Sequence, residues 1–196
     1  MNPYQEDHVF ELCRKFYSKY YCDQNPRRLI VGINPGRLGG GITGIPFTDP
    51  IRLAAECGIE NSLSKKAELS SEFVYRMIRA YGGPEKFYCH YFISAVCPLG
   101  FVKEGKNLNY YDIRELQDSA EPFIVRALQQ QLDLGFLRDR CYCLGEGKNF
   151  DYLSKLNERY QFFSQVIPLS HPRFIMQYRR KSIDSHIQTY LDKLNP

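Results

Sequence analysis

Residues 28–50 read RLIVGINPGRLGGGITGIPFTDP, and their order decides the fold. Arg28 to Asn34, RLIVGIN, is a short buried strand that runs straight into glycines. Gly32, Gly36, Gly39, Gly40, Gly41 and Gly44 make the following loop the most unusual stretch of the chain, because glycine lets a backbone approach a ligand closely and take positive φ. A tight structural turn is an equally open reading of the same glycines. The loop closes at Asp49 and Pro50, an N-cap followed by proline at the first helical position, which starts a helix through Ala55.

Outward from this segment, Val9, Leu12, Cys13, Phe16, Tyr17 and Tyr20 recur at helical spacing, so residues 8–21 predict an amphipathic helix. Ser70 or Ser71 caps another, with Phe73, Met77 and Tyr81 on one face and Gly82–Gly83 as its stop. Phe87 to Val96, FYCHYFISAV, reads as a second strand. Residues 112–135 are helical with a break or a fresh first turn at Pro122, 140–144 form a third strand and 149–156 a helix. Residues 162–169 form a fourth strand, and one last helix runs from Phe174 towards Leu194. Strands alternating with helices imply an α/β fold, a single three-layer domain over residues 1–196 with a four-stranded parallel sheet flanked by helices. In such sheets ligands sit beyond the carboxyl ends of the strands, which nominates the glycine loop, CPLGF, GEGKN and SHPRF.

Composition narrows the class. With 43% hydrophobic and 24% charged residues, and no apolar run approaching the roughly 20 residues of a membrane span, the chain reads as a globular domain with no membrane partner. The opening MNPYQEDHVFE has neither a basic n-region nor an apolar h-region, so the expected compartment is the cytoplasm. Seven cysteines contain no C-x-x-C pair and lie in apolar segments, which predicts buried free thiols and no metal, iron–sulfur cluster or other cofactor. GEGKN lacks the first half of a Walker A loop and the glycines miss the G-x-G-x-x-G spacing, so nucleotide-triphosphate chemistry has no support. The 26 Lys and Arg exceed the 22 Asp and Glu by four, a balance that permits an anionic partner without demanding one. The densest basic stretch is PRFIMQYRRK, residues 172–181, which read alone is a solvated helix face.

Three side chains stand out at the strand ends. Asn34, held between Ile33 and Pro35, offers an amide that orients a water but cannot take its proton, which suits a cationic electrophile whose leaving group departs early. His171 in LSHPRF precedes a proline and a helix start, a setting that favours neutral imidazole. Phe47 in GIPFTDP is an aromatic on the glycine loop, where flat ligands stack, or a plug beneath that loop.

GINPG followed by TGIPF resembles the first motif of the uracil-DNA glycosylase superfamily, in particular its single-strand-selective monofunctional branch, where G-M-N-P-G precedes T-G-V-P-F. SHPR resembles a shortened form of the second motif, H-P-S-P-R. CPLGFVKEGKNL and LGEGKNF resemble the intervening C-P-L and V-G-V-G-R-F elements, so the likeness spans residues 28–181 in order. The resemblance implies a monomeric enzyme that flips a deaminated base out of single-stranded or mismatched DNA and hydrolyses its N-glycosidic bond, leaving an abasic site. Asn34 would hold the water and His171 would bond the base oxygen that gains charge, the two acting on one extruded base. Gly32, Ile33, Phe47, Ser94 and Ala95 would bind the base. Gly36, Arg37, Arg173, Arg179 and Arg180 would meet DNA, with Phe174, Ile175 or Met176 as a wedge. Ala95 in FISAV stands where the branch carries an asparagine that reads uracil, so Ser94, a backbone group or another side chain supplies that contact, or the pocket also takes xanthine or hypoxanthine. Arg37 likewise stands where the family has proline. With no lysine in either motif and Lys148 the nearest candidate, a lyase step is not expected. A damaged-DNA-binding module without turnover is the alternative, and a Cys97–His171 acyl-transfer enzyme a third reading.

Overall fold

The computed structural model describes residues 2–194. In chain order the elements are α1 (Asp7–Tyr20), β1 (Arg28–Gly32), α2 (Gly40–Thr43), α3 (Pro50–Ala55), α4 (Leu69–Tyr81), α5 (Pro84–His90), β2 (Tyr91–Ala95), β3 (Phe101–Lys103), β4 (Lys106–Leu108), α6 (Arg114–Asp133), β5 (Arg140–Leu144), α7 (Lys148–Tyr160), β6 (Gln165–Leu169), α8 (Pro172–Tyr178) and α9 (Ile183–Leu194). The fold is α/β with a four-stranded parallel sheet flanked by helices, ordered β2-β1-β5-β6. The chain divides into two compact units, one from Asn25–Arg37 and His90–Leu169, the other from Pro3–Gln24, Leu38–Cys89 and the chain from Ser170 on. Among the described residues no helix is long and apolar enough to cross a membrane.

The first unit holds the sheet. Register pairs Val31 with Ser94 and with Cys143, and Gly32 with Ala95, so alternate residues of the three strands share a face. Leu29, Val31, Cys141 and Cys143 bury one face under Ile124, Leu128 and Leu132 of α6 and Leu153 and Leu156 of α7, spaced three and four apart as a helical stripe requires. Pro168 is tolerated because β6 is an edge strand. Pro122 does not break α6: the carbonyl that loses its intrahelical donor belongs to Asp118, an exposed residue. A second sheet, absent from the sequence expectation, is the antiparallel hairpin β3–β4, closed by Glu104 and Gly105 with φ of 50° and 71°.

Two expected elements differ. Phe87–His90 is helix, and the second strand starts only at Tyr91, because Pro84 in the first turn of α5 sets a helical start that outranks the β-preference of the aromatics. The last helix is two, since Ser182 donates its N–H and hydroxyl to the Arg179 carbonyl and winds residues 180–182 into a 3-10 turn between α8 and α9.

The second unit is helical, with α4 packed on α8 and α9 and the ring of Phe73 edge-on to Tyr190. Its joint is Asp49, which is wholly buried. The carboxylate caps α3 by accepting from the Ile51 and Arg52 amides at 3.0 and 2.8 Å, pairs with the Arg52 guanidinium at 3.0 Å, and accepts the Glu68 amide at 2.9 Å. Its own N–H donates to Ser71 Oγ, so the serine expected to cap α4 lies inside that helix and braces Asp49, while Glu68 occupies the N-cap. Asp49→Ala therefore removes a cap and leaves a guanidinium and an amide unpaired. We expect a loss of roughly 2–4 kcal/mol in urea unfolding; a loss below about 0.5 kcal/mol, the level of an ordinary surface change, would show the joint to be dispensable.

Candidate active site

Asn34 lies just beyond β1, where the β1–β2 ladder runs on through the Val96 and Cys97 amides to the carbonyls of Gly32 and Ile33. Its carboxamide pairs with the main chain that follows the hairpin. Nδ2 donates to the Leu108 carbonyl at 3.1 Å and Oδ1 accepts the Tyr110 amide at 3.1 Å. These partners define which end of the amide is nitrogen, and they leave one N–H and one lone pair for another molecule. Beside it, the Arg37 amide donates to Asn107 Oδ1 at 3.2 Å, while the Arg37 side chain stays exposed and Gly36 is half-buried. Gly32 and Ala95 are buried side by side in register. Ser94 pairs with Val31 and so turns to the face covered by α6 and α7, whereas Ala95 turns to the other; their side chains cannot line one wall.

In the second unit, Phe47 has φ of 53°, a left-handed conformation uncommon for a residue with a side chain. Thr43, fully buried, holds it there: its hydroxyl donates to the Thr48 carbonyl at 2.6 Å and accepts the Ile45 amide at 3.1 Å. Gly44, φ 73°, makes the preceding turn against Cys13, where a Cβ would meet sulfur. The Phe47 ring stands 6.0 Å from that of His171 at a 50° tilt. His171 caps α8, its Nδ1 accepting the Arg173 amide at 3.1 Å. Burial, and then the charge of Arg173, lowers its pKa to about 4. The ring is thus neutral at pH 7, and with Nδ1 an acceptor its proton sits on Nε2 as a donor.

On α8 and just after it the basic residues Arg173, Arg179 and Arg180 are exposed, as is Phe174, whose ring is tilted against that of Tyr178 and lies 5.5 Å from the Arg179 guanidinium. Ile175 and Met176 are buried, on a helix that packs against α4 and α9. That burial argues against Ile175 or Met176 as the expected wedge, whereas Phe174 and Tyr178 are exposed aromatics of the same helix. Cys97 is fully buried and burial pushes its thiol up, the reverse of an activated nucleophile. Cys22 is exposed and Cys89 partly so, against the expectation that all seven thiols are buried.

Sequence reasoning also missed Glu68. Its carboxyl lies so close to Gly39 of the glycine loop that a Cβ there would collide with it. Burial, and then the nearby Asp49, raise its pKa to about 7, against an opposing pull from Arg173. No spacing rule marks a lone glutamate before a helix.

A family model for the uracil DNA glycosylase superfamily matches residues 18–195, and the chain belongs to that superfamily. Within it, the chain lies on the single-strand-selective monofunctional side. The crystal structure of wild-type Pedobacter heparinus SMUG2 superposes with a TM-score of 0.95 at 46% identity, over 98% of this chain and 85% of that one. A rat protein, single-strand selective monofunctional uracil-DNA glycosylase, is 27% identical over 125 residues, 55% of this chain and 45% of the relative. The chain thus spans less than half the length of that curated relative.

A carboxyl whose pKa rises on folding costs stability once ionised. For Glu68 that cost is absent below the ordinary value of 4.5, grows between 4.5 and about 7, and is complete above. Glu68→Gln should therefore unfold at a higher temperature than the wild type at pH 8 and at the same temperature near pH 4.5. A difference in melting temperature that stayed constant across this range would contradict the assignment.

Proposed function

We propose that this chain is a monofunctional DNA glycosylase that extrudes a deaminated base, uracil foremost, and hydrolyses its N-glycosidic bond. The observation that carries the reading is His171, neutral and with its proton directed to Nε2 by the Arg173 amide, standing against the ring of Phe47. Cleavage of a glycosidic bond leaves negative charge on the departing base, and a donor preorganised for that charge is the main electrostatic requirement. A cationic imidazole is not needed, since the group only has to donate a hydrogen bond. Phe47 supplies a flat apolar surface for the extruded ring.

On the sugar side the developing cation is electrophilic enough to accept a weakly activated water. Asn34 is suited to hold it, with one N–H and one lone pair of its fixed amide unspent. No lysine lies within the two motifs, and the Lys148 ammonium sits 6.0 Å over the Tyr111 ring, which favours hydrolysis without strand cleavage. Ala95 offers only a methyl group where hydrogen bonds would read a pairing edge, and this favours a base range extending to xanthine and hypoxanthine. Extrusion costs a few kcal/mol, least from single strands and mismatches, which are the expected substrates. Phe174, with Tyr178 and Arg179 beside it, is positioned to fill the vacated stack.

Asn34→Ala should slow single-turnover uracil release on the order of 100- to 1,000-fold while retaining DNA affinity. Binding without release of uracil, xanthine or hypoxanthine by the wild-type chain would instead identify a damage-recognition module. Arg179→Ala should reduce the slope of log K against log salt by about one, and an unchanged slope would remove Arg179 from the DNA-contacting surface.

A further inference from the structure

The segment that grips Asn34 is irregular backbone. After β4 ends at Leu108, residues 109–113 belong to neither strand nor helix, and no ladder holds the Tyr110 amide in place. Two features do. Asp112 closes a local turn, accepting the Asn109 amide at 2.8 Å while its own amide returns to the Asn109 carbonyl at 3.0 Å. The Tyr110 side chain, wholly buried, reaches the opposite way and donates its hydroxyl to Asn149 Oδ1 at 2.8 Å.

Asn149, in the first turn of α7, is almost wholly buried too, and its carboxamide is engaged at both ends. Nδ2 donates to the Leu144 carbonyl at 3.2 Å, with Cys143 Sγ at 3.2 Å and the Gly32 carbonyl at 3.5 Å also in reach. The rings of Tyr111 and Tyr152 each stand 5.0 Å from Tyr110 and confine it sideways. A chain of contacts therefore runs from the carboxyl ends of β1 and β5, through Asn149 and the Tyr110 hydroxyl, to the Tyr110 amide and the Asn34 carboxamide.

We propose that Tyr110 and Asn149 form a strut that sets the position of Asn34 against the sheet, which makes both positioning residues for base release. This rests on the glycosylase reading above. Neither touches the reacting atoms. Their effect is on the rate of a bound substrate, because a reactive group misplaced by about 1 Å can cost on the order of 100-fold. A buried tyrosine serving only the core would not need its hydroxyl aimed at a buried amide, since apolar partners of the same shape can be as stable.

Tyr110→Phe removes one oxygen and keeps the ring. Single-turnover uracil release at saturating enzyme should fall about 10- to 100-fold, with the Kd for uracil-containing single-stranded DNA within twofold of wild type. Tyr110→Phe/Asn149→Leu also takes the donor from the Leu144 carbonyl, so its melting temperature should stay below wild type and release should stay slow. In an Asn34→Ala background, Tyr110→Phe should bring no further loss of rate. An unchanged rate in Tyr110→Phe, recovery of rate in the double variant, or multiplying losses with Asn34→Ala would each overturn the strut. Failure of Asn34→Ala itself to slow release would be a different result, striking the glycosylase reading and not the strut alone.

Discussion

A primary amide has two N–H donors and two oxygen lone pairs, and Asn34 spends one of each on the main chain around residue 109. That pair of hydrogen bonds to backbone is the constraint around which the first unit is arranged. It requires β1 to stop at Gly32, so that Asn34 leaves the ladder with its side chain free to turn. It requires the hairpin to bring Leu108 and Tyr110 alongside, and the two positive-φ residues Glu104 and Gly105 make so tight a return possible. It also requires buried polar support behind the hairpin, which Tyr110 and Asn149 provide in the middle of an otherwise apolar cluster. Such polar groups in a core are tolerated only when their partners are satisfied, and here the Tyr110 hydroxyl and both ends of the Asn149 amide are.

The second unit meets a parallel problem with different means. The donor role proposed for His171 needs its proton at one known atom, and the bond from the Arg173 amide to Nδ1 provides this. The same bond caps α8, so the local start of a helix and the tautomer of the ring are one interaction. Phe47 is held in an unfavourable backbone conformation by the Thr43 hydroxyl, and strain of this kind persists only where surrounding bonds overdetermine it. Asp49 then ties the end of that loop to α3 and α4, and beside it the pKa of Glu68 is raised first by burial and then by the Asp49 carboxyl.

The elements most legible from sequence were those with local punctuation. Asp49–Pro50 announced α3, Gly82 ended α4, and the apolar run after Arg28 marked β1, because caps, breakers and burial patterns act within a few residues. The signals that misled were also local. Aromatics at 87–90 suggested a strand, although Pro84 had already set a helix, and continuous apolar spacing hid the turn at 180–182. Gly105 was an overlooked sign of the hairpin, although Glu104 before it is not a residue that favours positive φ.

By itself the sequence determined the alternation of strands and helices, the glycine loop at the end of the first strand, and the residues Asn34, Phe47 and His171, since motif and periodicity are properties of neighbours along the chain. Only the tertiary structure decided that Ile175 and Met176 are buried while Phe174 faces solvent, that Ser94 and Ala95 lie on opposite faces, and that Tyr110 and Asn149 stand behind Asn34. The physical reason is range. Hydrogen bonds between residues 34 and 110, or 110 and 149, depend on how strands register and helices pack, and no local preference of either partner encodes the other.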